Sequence, residues 1–175
     1  VDLKSGAHTL TLRPVGELPA ETTRYFGLDV VELLNVVSPY AVECETLASK
    51  CSDNCHPTWQ DIRGTSGEAH IWCRPTEPGA WIEFTVPVEC AGKYKLSIVY
   101  TTSVDYGIMQ TYVNGEKAGE PFDTLGPLEP GPVRPLGEFQ LPAGPMTVRC
   151  EEIGKNERSP GYYFGVDCII VEPVK

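Results

Sequence analysis

The sequence predicts an all-β protein, an antiparallel β-sandwich with an additional β-hairpin at its N-terminus. Short apolar runs that alternate with polar residues recur along the chain, and 17 glycines and 16 prolines separate these runs. No segment shows a convincing helical periodicity of apolar residues. Roughly eight or nine short strands at this spacing are typical of two sheets packed face to face.

The strands are assigned from period-two alternation, which marks half-buried strands. They are expected at residues 40–47, 69–73, 81–86, 94–100, 108–113, 133–141, 146–153 and 164–171. Residues 48–68 are expected to form a polar loop, and residues 116–132 a loop rich in glycine and proline. Asn114-Gly115 predicts a type I′ hairpin turn, which needs positive φ at both positions. The alternation predicts a core that contains Ile82, Phe84, Val86, Leu96, Ile98, Val148 and Ile169.

The N-terminal hairpin is predicted from an internal repeat. Tyr25-Phe-Gly-Leu-Asp29 matches Tyr163-Phe-Gly-Val-Asp167, and Gly6 matches Gly144 at the same offset without a gap. Self-similarity at a fixed offset is the signature of a tandem array. Residues 1–36 are therefore interpreted as a β-hairpin that repeats the C-terminal strands of the domain, and residues 37–175 as a complete sandwich.

Charge and cysteine content restrict the function classes. A net charge of −10 argues against nucleic acid as a partner, because affinity for phosphates requires lysine and arginine. No run of 18 apolar residues and no signal peptide is present, so we expect no membrane span and either a mature chain or a fragment. Seven cysteines indicate disulfides and an extracellular or periplasmic location, with Cys150 and Cys168 one plausible pair.

The segment from Pro78 to Tyr100 resembles the jelly-roll carbohydrate-binding modules of the galactose-binding-like superfamily. Most similar are the accessory sandwich domains of bacterial glycoside hydrolases, which share Asp105-Tyr-Gly-Ile-Met-Gln, the segment 113–123, the Leu141-Pro-Ala-Gly144 turn and Tyr163-Phe-Gly-Val-Asp167. The resemblance covers residues 40–172 and implies the fold. It says less about function, because the superfamily includes binders, spacers and assembly modules.

The resemblance also implies a structural calcium ion. In the relatives, an acidic pair on the first strand and an aspartate on the last strand bind the ion, and Glu43, Glu45 and Asp167 are the matching residues here. Hard oxygen ligands suit Ca²⁺. The alternative is that Glu43 and Glu45 are solvated on an outer face.

Aromatic side chains in the loops are the candidates for glycan binding, because sugar rings stack on aromatic faces. The sugar-binding aromatics of the relatives lie in loops. The candidates in loops or at strand ends are Trp59, Trp72, Tyr106 and Tyr162. For Trp72, a place in the core is an equally good interpretation.

A motif outside the family pattern suggests haem. Cys51-Ser-Asp-Asn-Cys55-His56 resembles a C-x-x-C-H attachment site for c-type haem with one extra residue, and His70 or His8 could supply the second axial ligand. The alternatives are a small Cys51–Cys55 disulfide or, less favoured, a zinc site that adds Cys73.

Three functions follow from these features. The leading hypothesis is a secreted, non-catalytic sandwich module of a tandem-repeat or multidomain protein, which binds glycans or acts as a spacer or anchor. The second is a self-assembling subunit of an extracellular filament or array, whose N-terminal hairpin adds to the sheet edge of a neighbouring domain or copy. The third is a haem electron-transfer protein. No Ser/His/Asp set, phosphate loop or H-E-x-x-H motif suggests an enzyme.

Overall fold

The computed structural model describes residues 9–11 and 37–174 of the chain. The predicted hairpin over residues 1–36, His8 included, lies outside the described residues except for positions 9–11, so the tandem repeat stays a prediction. Among the residues that are described, no helix has the length and apolarity needed to cross a bilayer.

Residues 37–174 form two antiparallel sheets. The strands are, in order, β1 (Ala41–Glu43), β2 (Ser49–Cys51), β3 (Thr58–Asp61), β4 (Ala69–Cys73), β5 (Trp81–Val88), β6 (Gly92–Thr102), β7 (Ile108–Val113), β8 (Glu116–Asp123), β9 (Glu129–Pro130), β10 (Arg134–Leu141), β11 (Gly144–Gly154) and β12 (Phe164–Pro173). The first sheet has the order β10-β6-β12-β4-β3, with β1 added to β12 and β9 to β6. The second has the order β2-β5-β11-β7-β8. This arrangement confirms the predicted antiparallel sandwich.

The core lies between the two sheets and contains every residue that the alternation predicted. Ile82, Phe84, Val86, Leu96, Ile98, Val148 and Ile169 are all fully buried. The 114–115 turn is also confirmed, because Asn114 has φ of 49°, Gly115 has φ of 85°, and Val113 pairs with Glu116 across it. Periodicity therefore identified the buried residues, and the Asn114-Gly115 pair identified the hairpin turn.

The strand predicted over residues 40–47 is instead two short strands separated by a 3-10 turn at Cys44–Thr46. The turn lets the chain change sheets, since β1 pairs with β12 of the first sheet and β2 pairs with β5 of the second. Cys44, at the crossing point, is 1% exposed. When the chain passes from one sheet to the other, a different set of alternate side chains faces the core. One uninterrupted alternation over residues 40–47 therefore cannot describe both strands.

Both predicted loops also contain strands. Residues 48–68 include β2, β3 and a 3-10 turn at Ser66–Glu68, while residues 116–132 include β8 and β9. β8 is an edge strand and tolerates Gly119 and Pro121, because its outer side needs no hydrogen-bonding partner. Tertiary pairing with β7 therefore overrides a composition that is typical of loops.

Glu152 on β11 is a fully buried carboxylate, and it connects the 74–80 loop to the second sheet. Its carboxylate oxygens accept hydrogen bonds from the backbone N–H groups of Gly79 (3.1 Å) and Gly154 (2.6 Å). Burial raises its pKa to about 7, although the two N–H donors act in the opposite direction.

This raised pKa predicts a pH dependence of stability. Between about pH 4.5 and pH 7 the folded state keeps a proton that the unfolded state has released, so the free energy of unfolding should fall as pH rises through this window. The fall should be shallower in Glu152→Gln, as measured by urea unfolding at several pH values from 4.5 to 7.5. Equal slopes in the two proteins would contradict this assignment.

Candidate functional site

The predicted calcium ligands converge on one edge of β12. The first residues of β12 pair with β4 through Val166, and from Cys168 onward the same strand pairs with β1. Asp167 lies between these two pairings, at a register shift in the pairing of β12 with β6. Since β1 ends at Glu43, which pairs with Cys168, the topology places two of the three predicted carboxylates side by side.

Ser66, which the sequence did not indicate, connects these carboxylates. Its backbone N–H donates to both carboxylate oxygens of Asp167, at 3.1 and 3.2 Å. Its hydroxyl donates to Glu43 Oε1 at 2.7 Å. Glu45 reaches the same place from the 3-10 turn, because a Cβ on Gly67 would lie 3.2 Å from Glu45 Oε1 and 3.5 Å from Glu43 Cδ. The alternative of two solvated glutamates is therefore not what the structure shows.

Burial raises the pKa values of all three carboxylates in this cluster, and neighbouring negative charges add to the effect at Glu45 and Asp167. Burial, opposed by the Ser66 N–H and reinforced by the negative charges of Glu43 and Glu45, raises the pKa of Asp167 to about 7. Burial also raises the pKa of Glu43 and that of Glu45, with a further contribution at Glu45 from Glu43. The negative charges of Glu43 and Glu45 thus oppose the ionisation of Asp167, and a cation bound beside these carboxylates would offset that repulsion.

The residues in this cluster fit a calcium ion. Glu43 Oε2 and Glu45 Oε2 are buried and have no hydrogen-bond partner among the residues that the structure describes, although buried carboxylate oxygens nearly always have one. Atoms of Glu43, Asp167 and Cys168 that can bind a metal lie within 4.8 Å of one another. The carboxylates would supply the hard oxygen ligands that Ca²⁺ prefers, whereas the thiol of Cys168 is a soft ligand that contributes little to such an ion.

A cleft in the loops next to β12 contains one of the four predicted aromatic residues. It has a volume of about 350 Å³ and is lined by Pro75, Thr76, Asp105, Pro160, Gly161, Tyr162 and Tyr163. Tyr162 is half-buried, and the ammonium of Lys155 lies 4.5 Å from its ring centroid. This cation–π contact restrains the Tyr162 ring, which remains part of the cleft wall.

The backbone around this cleft is closely packed. A Cβ on Gly161 would lie 2.7 Å from the carbonyl oxygen of Asp105, so only glycine fits there. The same carbonyl accepts a hydrogen bond from the Tyr163 N–H at 3.3 Å, and Gly107 N–H donates to the Tyr163 carbonyl at 2.8 Å. Ser103 Oγ donates to Asp105 Oδ1 at 2.7 Å. These contacts fix the backbone that carries Asp105, Tyr162 and Tyr163 in the cleft wall.

The other three aromatic candidates lie elsewhere. Trp72 is half-buried and packs edge-on against Tyr163, with ring centroids 6.0 Å apart. It therefore contacts a residue of the cleft wall without lining the cleft itself. Trp59 is 64% exposed on the edge strand β3 and does not line the cleft. The prediction that Tyr106 binds glycans is corrected, because Tyr106 is only 2% exposed and lies in the interior, where no ligand can stack on its ring.

The structure does not support haem at Cys51, Cys55 and His56. The thiol of Cys55 is buried against that of Cys73, whereas attachment of haem requires both thiols of the motif to be open to the porphyrin. His70 is fully buried, and both of its ring nitrogens are occupied, Nδ1 by Thr101 Oγ1 at 2.8 Å and Nε2 by Gln60 Oε1 at 3.0 Å. His56 is exposed at the surface.

The suggested Cys150–Cys168 disulfide is also corrected, because the two side chains belong to different clusters. Cys150 lies in the core between the sheets. Cys168 lies in a separate cluster with Val99 and Ile170. The register shift at Asp167 determines this separation, since it changes which residues of β12 face the core.

Several residues of the two sites could not be found by sequence reasoning. Ser66 carried no motif, and Asp105 stood only in the segment Asp105-Tyr-Gly-Ile-Met-Gln, which indicated the fold and no role. The roles of both residues depend on contacts with residues far away along the chain. A usable signal was present for the cleft, because Pro160-Gly161-Tyr162-Tyr163 combines loop residues with adjacent aromatics directly before the last strand.

The two antiparallel sheets define the fold of this protein, a β-sandwich of the jelly-roll type. Comparison with solved structures gives the same fold. A family 35 carbohydrate-binding module from Clostridium thermocellum superposes with a TM-score of 0.55 at 20% identity, over 79% of this chain and 100% of that one. No known family model and no curated protein matches the sequence.

Two larger enzymes contain similar domains. Paenibacillus xanthan lyase matches with a TM-score of 0.69 at 22% identity, over 78% of this chain but only 13% of the lyase. The Podospora anserina GH26-CBM35 β-(1,4)-mannanase matches with a TM-score of 0.50 at 19% identity, over 77% of this chain and 27% of the enzyme. At these identities the likeness shows the fold. The chain spans only a small part of either enzyme.

Proposed function

We propose that residues 37–174 are a non-catalytic glycan-binding module of a secreted protein, with a calcium ion that stabilises the module. The observation that carries the proposal is the cleft with Tyr162 in its wall, at the end of a fold that carbohydrate-binding modules share. A concave site of about 350 Å³ falls in the range of small-ligand sites. Asp105 adds a carboxylate that can accept hydrogen bonds from sugar hydroxyls.

The protein would act outside the cytoplasm, in the extracellular space or the periplasm, as a module that brings a larger polypeptide to its polysaccharide. Xanthan and β-1,4-mannan are the first ligands to test, because the lyase and the mannanase that contain similar domains act on these polymers. The chemistry of the cleft needs only a ring face for Tyr162 and hydroxyl groups for Asp105, so it selects a class of ligand rather than one sugar.

Replacing Tyr162 with alanine should weaken polysaccharide binding at least about tenfold, or ~1.4 kcal/mol, because an aromatic stacking face in the cleft wall is lost. Affinity electrophoresis in gels that contain xanthan or mannan, followed by calorimetry on the polymer that retards the protein, measures the effect. Trp59→Ala is the matched control. It removes a more exposed aromatic ring that does not line the cleft, and binding should not change. Loss of binding in the Trp59 variant alone would contradict this assignment and would place the binding site at β3.

Calcium should raise the melting temperature of the module. At 100 times the dissociation constant, an ion that binds only the folded state adds about 2.7 kcal/mol, which corresponds to about 5–10 °C in a domain of this size. Glu43→Gln should abolish the response, because it removes one charged ligand and keeps the acceptor for Ser66.

The same variant should behave differently without calcium. In chelator, Glu43→Gln should melt no lower than the unmodified protein, because it relieves repulsion with Asp167 and Glu45. The exposed Glu89→Gln serves as a control that keeps the calcium response. Identical melting curves of the unmodified protein in chelator and in millimolar calcium would rule out the ion.

A further inference from the structure

Three cysteine side chains meet where the loop that follows β2 contacts the end of β4. Cys55 is 2% exposed, Cys73 is fully buried, and Cys51 is half-buried. The Sγ atoms of Cys55 and Cys73 are 2.8 Å apart, and the Cys51 thiol donates to the Cys55 carbonyl at 3.1 Å. Neither the calcium cluster nor the cleft uses these thiols.

The distance between Cys55 Sγ and Cys73 Sγ distinguishes a disulfide pair from two thiols in ordinary contact and from two zinc ligands. Non-bonded carbon atoms prefer separations of about 3.5–4.0 Å, and sulfur is larger than carbon. Two thiolates on a tetrahedral zinc ion with Zn–S bonds of about 2.3 Å would lie roughly 3.8 Å apart. The observed 2.8 Å is shorter than either, and a decrease of about 0.8 Å would bring it to the length of a disulfide.

We propose that Cys55 and Cys73 form a disulfide bond in the secreted protein, whereas Cys51 remains a thiol. The bond joins residues 18 positions apart along the chain and connects the 52–57 loop to the last residue of β4. Pro75 and Thr76, which line the cleft, follow Cys73 almost directly. The cross-link therefore anchors one wall of the cleft, a role that is independent of which ligand the cleft binds.

The oxidation is a thiol–disulfide exchange with a small disulfide such as oxidised glutathione. The Cys55 thiolate attacks one glutathione sulfur and releases the other as a thiolate. The Cys73 thiolate then attacks Cys55 Sγ and releases the second glutathione. Two protein thiols are oxidised, one glutathione disulfide is reduced to two glutathione thiols, and the two protein protons pass to these products.

In the folded protein Cys55 is 2% exposed and Cys73 is fully buried. Because both thiols are enclosed in the folded protein, the exchange takes place during folding, before the core closes around them.

Peptide mapping of the full chain tests the proposal. The protein is refolded with oxidised and reduced glutathione, its remaining thiols are alkylated, and it is digested with trypsin without reduction. Cleavage after Lys50, Arg63 and Lys93 gives peptides 51–63 and 64–93, which should be joined. Fragmentation should place the bond between Cys55 and Cys73, with Cys51 and Cys90 alkylated. A Cys51–Cys55 bond, any other pairing, or three alkylated thiols in this cluster would overturn the proposal, as would zinc retained by unoxidised thiols.

A stability measurement gives an independent readout. A disulfide across a loop of this length should raise the melting temperature by about 10 °C, so the oxidised unmodified protein should melt higher than Cys73→Ser by about this amount. Addition of a reductant should remove most of the difference. Cys90→Ser is the matched control, because Cys90 is exposed and should melt like the unmodified protein under both conditions. A difference between Cys73→Ser and the unmodified protein that reductant leaves unchanged would mean that Cys73 acts only by packing and would overturn the proposal.

Discussion

Replacement of Phe84 with alanine should lower the free energy of unfolding by about 3–5 kcal/mol. Phe84 is fully buried on β5 and belongs to the main core cluster. It pairs with Val148 on one side and with Ser49 on the other, so β5 has a neighbouring strand on both sides at this position. The strands on both sides restrict collapse around the cavity, which places the cost toward the upper end of the range.

Urea unfolding followed by tryptophan fluorescence measures this loss. Thr85→Ala is the matched control, because Thr85 is the next residue on the same strand and is exposed. Its effect should stay within about 0.5 kcal/mol. A loss below about 1 kcal/mol for Phe84→Ala would mean that the register of β5 is shifted by one residue, which would exchange the buried and exposed faces.

Gly165→Ala should destabilise the protein by a similar amount, about 3–5 kcal/mol. A Cβ at this position on β12 would collide with Thr101 Oγ1 and with the ring of His70. Both groups are fully buried and hydrogen-bonded to each other. The added methyl group would impose strain on a packed interior and break a buried hydrogen bond, and these two costs add.

The consequence for His70 makes this prediction specific. Burial lowers the pKa of His70 to about 4, so the ring is neutral at pH 7 and relies on Thr101 and Gln60 as partners. Thermal melts of Gly165→Ala and of Gly92→Ala should differ by roughly 10 °C. Gly92 is the control, because a Cβ there would make only an ordinary contact of 3.6 Å with Tyr94. Equal melts would show that β12 can move away from β6 and β4 without cost.

The two sites differ in how far the sequence predicted them. The carboxylates Glu43, Glu45 and Asp167 were assigned through resemblance to carbohydrate-binding modules, and the structure places them together. Ser66, which contacts both Glu43 and Asp167, was missed because its partner Asp167 is 101 residues away along the chain. Of the aromatic candidates, only Tyr162 lines the cleft, and Tyr106 is buried. A short aromatic motif indicates a loop, but it does not show which side of the loop faces solvent.

The predictions for the cysteines were wrong for a related reason. The C-x3-C-H spacing suggested haem, and positions on adjacent late strands suggested a Cys150–Cys168 bond. In the structure, Cys55 contacts Cys73, while Cys150 and Cys168 lie in separate clusters. Pairing of thiols depends on which strands become neighbours and on bulges that change the face of a strand, and spacing along the chain records neither.

The sequence by itself determined the all-β class, the buried faces of β5 and β6 and the Asn114-Gly115 turn. These features follow from interactions between residues close in sequence, namely period-two burial and the backbone preferences of glycine and asparagine. Only the tertiary structure decided where β1 gives way to β2, why composition typical of a loop forms β8, and which carboxylates and thiols meet. Each of these depends on pairing between distant segments, since a residue at a sheet crossing or a strand edge takes its environment from its neighbours in space.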